Sequence, residues 1–270
     1  MTGLTLPQPK RARLLIADLA RSEWTKLWTL RSSYWTLAAA AVAMTGFGGV
    51  LSAAYNRHLS PGAHAAFDPA SYSLSGFFLA QLAIGVLGVL VMTGEYATGS
   101  IRSTLAAAPQ RLAVLAAKSG VFAAVAFAAA LASSFAAFFL GQAIFAGNGI
   151  QAHLSDPGAL RSVFGAALYL AASGLLALAL GALIRRTAGA IAALIGLVIF
   201  LPIAVGALPA AWQNHVNPYL PTVAGQVIIG RTKFTPAGHL LSPWAGFAVF
   251  CGYALATLIA AAIALYQRDA

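Results

Sequence analysis

Lysine and histidine are the side chains in this sequence whose chemistry would suit phosphate or metal binding. A nucleotide-hydrolysing site needs a Gly-x-x-x-x-Gly-Lys-Ser/Thr loop, because backbone amides and the lysine must surround the phosphates. None of the four lysines follows a glycine. They are Lys10, Lys26, Lys118 and Lys233. The sequence therefore predicts that this chain has no ATPase site and binds no cofactor itself.

The histidines do not form a pattern typical of a metal site. Zinc ligands recur at helical or turn spacing, whereas the five histidines are scattered over loops, and we expect them to lie on the surface. An intramembrane serine protease would need Gly-x-Ser-Gly, and Ser73-Leu74-Ser75-Gly76 lacks the first glycine. We therefore expect no metal site and no catalytic residue. The histidines are His58, His64, His153, His215 and His239.

The elements that carry these residues are long apolar runs. Of the 270 residues, 60% are hydrophobic and only 8% are charged, and the mean hydropathy is +0.81. A soluble domain has about 25% charged residues, so this composition indicates a polytopic membrane protein. No run alternates in polarity as a β-barrel strand would, which favours an all-α bundle of six spans. The predicted spans are 34–54, 74–94, 119–145, 163–184, 188–208 and 244–266.

None of these six runs contains Asp, Glu, Lys, Arg or His. Transporters driven by proton or sodium gradients usually carry an ionisable residue inside a span. The sequence therefore argues against ion coupling. The few polar side chains within the runs either line a pathway or hydrogen-bond one helix to another. The possible pathway residues are Gln81, Ser133, Ser134 and Gln142.

An amphipathic helix is predicted before the first span, within a cytoplasmic N-terminal segment, 1–33. Over 14–30, apolar Ile16 and Trp24 fall on one face and polar Asp18 and Thr25 on the other. Tryptophan and basic residues suit the interface of an anionic leaflet. We expect the helix to lie on the membrane, and a helix with one face in solvent is the alternative. The residues assigned to the interface are Trp24, Lys26, Leu27 and Trp28.

The basic residues predict the orientation of the chain. The formal net charge is +10, but the cations lie between apolar runs rather than on one polar face, which argues against nucleic-acid binding. With a cytoplasmic N-terminus, twelve of the sixteen Lys and Arg residues lie inside. That bias predicts a cell-membrane protein with both termini, including 267–270, in the cytoplasm. The outside four are Arg57, Arg161, Arg231 and Lys233.

The last external segment, 209–243, contains a short apolar run, Val223–Ile229. The run is too short to span a bilayer and too apolar for a free loop. It predicts a short re-entrant or interfacial helix, with a long external loop as the alternative.

The segment that joins spans two and three reads EYATGSIRSTLAAAPQRLAVLAAK from Glu95 to Lys118. Thr98 or Ser100 can cap a short helix, Gly99 allows a tight turn before it, and Pro109 ends it. The pattern predicts a short amphipathic helix on the cytoplasmic side.

This segment resembles the E-x-x-T-G-T/S-I/L-R…L…P…R…K pattern of ABC-2 type permeases, the membrane subunits of ABC exporters. The matching residues are Glu95, Thr98, Gly99, Ser100, Ile101, Arg102, Leu105, Pro109, Arg111 and Lys118.

The predicted architecture, with six spans and an amphipathic N-terminal helix, also resembles that of this family. The resemblance implies that this segment is a coupling helix that docks into a separate ATPase. It assigns the coupling role to Glu95 and 98–102, with a Glu95 that merely pairs with Arg102 or Arg111 as the alternative.

The resemblance further implies two permease chains, as a homodimer or a mixed pair, in membrane lipid. Two ABC ATPase chains would bind Mg-ATP and drive export. The substrate is not indicated. A membrane scaffold or assembly protein that uses no energy is the first alternative, and a secondary transporter of neutral amphiphiles is the second.

Overall fold

The fold is mostly helical in the part of the chain that the computed structural model describes, residues 9–58, 67–101, 110–230 and 239–267, and no strand occurs there. Within these described residues, six helices are long and apolar enough to cross a membrane. The structure thus confirms an all-α fold with six candidate spans. They are Arg31–Arg57, Phe77–Ala97, Arg111–Ala146, Ala159–Ile184, Thr187–Gly206 and Pro243–Gln267.

The first and fifth of these spans are interrupted by π-helical turns, at Ala43–Phe47 and Gly196–Phe200. Each such span is therefore divided into two α-helical parts. The α-helices are α1 (Pro9–Thr29), α2 (Arg31–Val42), α3 (Gly48–His58), α4 (Pro69–Ser73), α5 (Phe77–Ala97), α6 (Arg111–Ala146), α7 (Ala159–Ile184), α8 (Thr187–Ile195), α9 (Leu201–Gly206), α10 (Ala210–Val216), α11 (Pro221–Gln226) and α12 (Pro243–Gln267).

Helices α5 and α6 extend beyond the apolar runs that predict them. Helix α6 begins at Arg111, well before the run that starts at Ser119, and α5 continues to Ala97. A helix continues for as long as its backbone can hydrogen-bond within the helix, whereas hydropathy marks only the part suited to hydrocarbon. The extensions bring Glu95 and Lys118 into the helices, although no predicted run contains a charge.

Helix α7 forms the centre of the bundle, and α5, α6 and α12 pack against it. Its contact with α5 is made at glycines. A Cβ atom added at Gly88 would lie 2.3 Å from the carbonyl oxygen of Gly174. Close approach of two backbones at small residues is typical of helix packing in membranes.

The π-helical turn of the first span faces the start of α5. A Cβ atom added at Gly76 would lie 1.9 Å from the carbonyl oxygen of Met44, within that turn. Met44 itself is fully buried. The absence of a side chain at Gly76 therefore allows the backbone of the π turn to touch the helix beside it.

Side-chain hydrogen bonds join the helices at each of the two ends of the bundle. At one, which we name the charged end, Arg111 Nη1 donates to the carbonyl of Leu265 at 2.5 Å and Arg185 Nη2 to that of Ala264 at 3.4 Å. These carbonyls belong to the last turn of α12, where helices leave acceptors unpaired. At the other, the loop end, Asn56 Nδ2 donates to Ile144 at 3.0 Å.

The apolar run in the last long loop forms α11 and the turn that follows it. Every residue from Pro221 to Ile229 is buried. A Cβ atom at Gly225 would lie 2.7 Å from the ring of Tyr169 and 2.8 Å from that of Phe250. The run thus forms a short helix that packs on α7 and α12, while its depth in the bilayer stays a prediction.

Candidate coupling site

Four charged side chains from three separate helices meet at the charged end of the bundle. Glu23 and Lys26 belong to α1, Glu95 to α5 and Lys118 to α6. We refer to these four residues as the ion cluster. Glu23 and Lys26 lie three positions apart on α1, so both side chains lie on the same face of that helix.

The ion cluster is a closed set of charge-assisted hydrogen bonds. Lys118 Nζ donates to Glu23 Oε2 at 2.5 Å and to Glu95 Oε1 at 2.8 Å. Lys26 Nζ donates to Glu23 Oε1 at 2.7 Å and to Glu95 Oε1 at 2.9 Å. Each lysine therefore bridges both carboxylates, and the two acids and two bases have no net charge when all are ionised.

Burial differs sharply within the cluster. The side chains of Lys118 and Glu23 are 3% and 5% exposed, that of Glu95 is 11% exposed, and that of Lys26 is 41% exposed. Desolvating single charges costs several kcal/mol each, which only close pairing and hydrogen bonding offset. Lys118 therefore depends on both carboxylates, whereas Lys26 lies at the open edge of the cluster.

The surroundings of Lys26 raise its pKa above the ordinary value of 10.5. Burial by itself lowers this pKa, but the hydrogen bonds to Glu23 and Glu95 and the charges of both carboxylates outweigh that effect. Lys26 thus carries its charge at neutral pH and attaches α1 to α5.

A cavity of about 540 Å³ adjoins the ion cluster. All four members of the cluster line it, together with apolar and hydroxyl-bearing side chains. The Oε2 atom of Glu95 is buried and has no hydrogen-bond partner among the described residues. The further lining residues are Leu27, Thr29, Leu30, Ser32, Leu90, Val91, Gly94, Thr98 and Ser100.

The residues that carry the family resemblance follow directly after Glu95. Thr98 and Gly99 are exposed, while Ile101 is 4% exposed and packs inward. Gly99 has a φ of 72°, a left-handed conformation that costs other residues about 1–2 kcal/mol. The backbone is helical again at Ser100 and Ile101. Arg102 and the rest of the predicted coupling helix, through Pro109, lie outside the described residues.

The carboxylate of Glu95 contacts Lys26 and Lys118 within the protein, and sequence reasoning did not include these contacts. They form because α5 and α6 continue past their apolar runs and α1 packs against α6. The coupling role of Glu95 stays a prediction, and Arg102 lies outside the described residues. Sequence reasoning did not assign Glu23 any role. Its spacing of three positions from Lys26, on the helix that carries Trp24 and Trp28, is a sequence signal that could have identified it.

The four residues assigned to the membrane interface do not share one environment. Trp24 is 49% exposed, whereas Leu27 is 6% exposed and packs inward beside Glu23. The rings of Trp24 and Trp28 lie 5.6 Å apart, and Trp28 also contacts the ring of Tyr34 at 5.1 Å. The inward face of α1 thus contains the charged side chain of Glu23 beside Leu27. The contact of α1 with the membrane stays a prediction.

The four possible pathway residues are all buried within the chain. Gln81 accepts a hydrogen bond from Tyr169, whose hydroxyl in turn accepts one from Gln226 of α11 at 3.3 Å. Gln142 donates to the carbonyl of Pro69 at 3.2 Å. Ser133 donates to the carbonyl of Ala129, whereas the hydroxyl of Ser134 has no partner among the described residues.

No family model and no curated protein matches this sequence.

Proposed function

We propose that this chain is the membrane subunit of an ATP-driven exporter of the ABC-2 type, and that a separate ATPase supplies ATP hydrolysis. Two copies of the chain, or this chain and a second permease, would form the pathway. The ATPase would dock on the segment that begins at Thr98. Both termini and this segment would lie in the cytoplasm.

The observation that carries the proposal is the position of the motif relative to the ion cluster. The exposed turn at Thr98 and Gly99 follows Glu95 within a few residues, and Glu95 is bonded to α1 and α6. A displacement of this turn would therefore move α1, α5 and α6 together. Networks of salt bridges and hydrogen bonds that join helices in this way are one means by which coupling passes between two sites.

Each part of the cluster would then have a separate task. Glu95 and Lys118 would hold the ends of α5 and α6 together, and Glu23 would attach α1 to that pair. The exposed backbone at Thr98 and Gly99 would contact the ATPase. In this proposal Glu95 positions the docking segment and does not itself touch the partner.

The proposal is tested by recovering the partner from native membranes. The tagged chain is purified in mild detergent from the cells that produce it, and ATP hydrolysis sensitive to orthovanadate is measured in the eluate. We expect hydrolysis with the wild-type chain. Thr98→Trp, which places a large ring on the proposed docking surface, should lower the recovered activity about tenfold, because it blocks close contact.

Gln151→Trp is the matched control, since Gln151 is exposed at the loop end of the bundle. This variant should recover as much ATPase activity as the wild type. A wild-type chain that brings no such activity would overturn the proposal. So would a Thr98→Trp chain that recovers full activity while inserting normally, because the docking surface would then lie elsewhere.

A further inference from the structure

A second cavity, at the loop end of the bundle, lies apart from the ion cluster and has a volume of about 500 Å³. It lies between the start of α7, the turn after α11 and the start of α12. Two of the residues that line it are basic, and four are apolar. These residues are Arg161, His239, Val227, Leu240, Leu241 and Pro243.

Among the described residues, Arg161 has no hydrogen-bond or ion-pair partner. Its Nε atom is buried without a hydrogen bond, and no carboxylate forms an ion pair with its guanidinium among the described residues. Asp68, which lies near the same turn, is occupied, because its side chain accepts hydrogen bonds from the backbone amide and hydroxyl of Ser71. A guanidinium stays charged at any pH that proteins experience. The cavity therefore holds a cation whose hydrogen-bonding capacity is incomplete.

The rest of the cavity is suited to an amphiphile. Val227, Leu240, Leu241 and Pro243 form an apolar wall, while the exposed ring of His239 offers a further nitrogen at the rim. Trp244, directly after Pro243, is 62% exposed, and tryptophan is typical of the headgroup level of a membrane. The cavity thus combines one cation, an apolar wall and a position at the ends of two spans.

We propose that this cavity binds the phosphate headgroup of an anionic lipid. The planar fork of Arg161 matches two phosphate oxygens, and the apolar wall would contact the first part of the lipid chains. A free phosphate ion would use the same guanidinium but not the wall. The site is independent of the proposed transport function, since it requires neither an ATPase nor a second copy.

The test measures lipid binding to the purified full-length chain in a neutral detergent. Short-chain phosphatidylglycerol, short-chain phosphatidylcholine and inorganic phosphate are titrated separately, and Kd is obtained by calorimetry. We expect phosphatidylglycerol to bind about tenfold more tightly than phosphatidylcholine, because one charge-assisted contact distinguishes them. Inorganic phosphate at equal concentration should not displace the lipid.

Variants identify the site. Arg161→Gln should reduce the preference for phosphatidylglycerol to less than about twofold, whereas Arg57→Gln, which removes a charge at an exposed position that does not line the cavity, should retain it. Leu241→Trp should weaken both lipids by filling the cavity with Arg161 unchanged. It therefore tests the site even if Arg161→Gln fails to fold.

Unchanged phosphatidylglycerol binding by a folded Arg161→Gln chain, or by Leu241→Trp, would overturn the proposal. Displacement of the lipid by equimolar inorganic phosphate would also overturn it, because the cavity would then bind free phosphate rather than a lipid headgroup.

Discussion

Lys118 of α6 donates a hydrogen bond of 2.8 Å to Glu95 of α5, 23 positions earlier in the chain. The pair joins the two ends of the segment that carries the family resemblance. Each residue lies just beyond an apolar run, so their contact closes the connection between two spans at the level where the runs end. The connection between these two spans contains the docking segment of the proposal. This ion pair therefore holds together the two helices from which that segment extends.

The first prediction concerns the loss of one cation from the ion cluster. Lys118→Met should lower the free energy of unfolding by about 3–5 kcal/mol, because two buried carboxylates then share only the partly exposed Lys26. The measurement is reversible unfolding in mixed micelles. Lys26→Met also leaves both carboxylates with one lysine, but it should cost less than Lys118→Met, because the 41% exposed Lys26 lies where water can solvate the carboxylates in its place.

The double variant Glu95→Gln with Lys118→Met provides the check on this reasoning. It leaves Glu23 paired with Lys26 and restores neutrality, so it should be more stable than Lys118→Met alone. Equal or lower stability of the double variant would show that lost packing, rather than unpaired charge, causes the effect.

The second prediction concerns alkaline pH. Because pairing raises the pKa of Lys26 above 10.5 in the folded chain, its contribution to stability is complete below the unfolded value. The contribution is lost as pH rises through the folded pKa. Lys26→Arg retains its charge at high pH. The difference between the unfolding midpoints of wild type and Lys26→Arg should therefore be constant up to about pH 9, and the midpoint of wild type should fall relative to that of Lys26→Arg as pH rises from about 10 to about 11.5.

The comparison with Lys26→Arg cancels the titration of tyrosines and other groups that both chains share. If the two unfolding midpoints kept a constant difference over this range, Lys26 would not carry the pH dependence.

The third prediction concerns the contact between α5 and α7. Gly88→Ala should destabilise the fold by about 1–3 kcal/mol, because the new Cβ meets the backbone of Gly174 and the helices must separate. Gly94→Ala on the same helix should be neutral or stabilising by up to about 1 kcal/mol, since nothing lies within 4 Å of the added atom. Similar losses in both variants would contradict this packing account.

The fourth prediction concerns orientation. Because twelve of sixteen Lys and Arg residues fall on one side of the predicted map, reporters at position 103 and after position 270 should be cytoplasmic. Reporters at positions 64 and 235 should be external, as measured by the labelling of introduced cysteines in intact cells. Labelling of position 103 from outside would reverse the map and remove the basis for cytoplasmic docking.

The spans could be predicted from sequence because long apolar runs have few alternatives to a membrane helix. The ion cluster could not be predicted in the same way. Hydropathy treats Glu95 and Lys118 as ends of spans, while their burial depends on α1 packing beside α5 and α6, which is a tertiary contact. Glu23 shows the same limit, because only its distance from Lys118 in space makes it important.

The buried contact of Gln81 with Tyr169 shows a related limit at depth. Sequence reasoning left open whether Gln81 lines a pathway or joins helices, since an amide in an apolar run suits both. Its hydrogen-bond partner lies 88 positions away on α7. No local spacing marks that partner, and only the packing of α5 on α7 brings the two together.

The π-helical turn at Ala43–Phe47 has a consequence for length changes in the first span. A π turn accommodates one residue more than an α turn of similar rise. Deleting one residue there would let the span continue as regular α-helix with α2 and α3 in their present register. Deleting one residue elsewhere in α2 or α3 would instead rotate the remainder by about 100°. The first span thus contains one place at which it can absorb a single-residue deletion, beside the carbonyl of Met44 that touches Gly76.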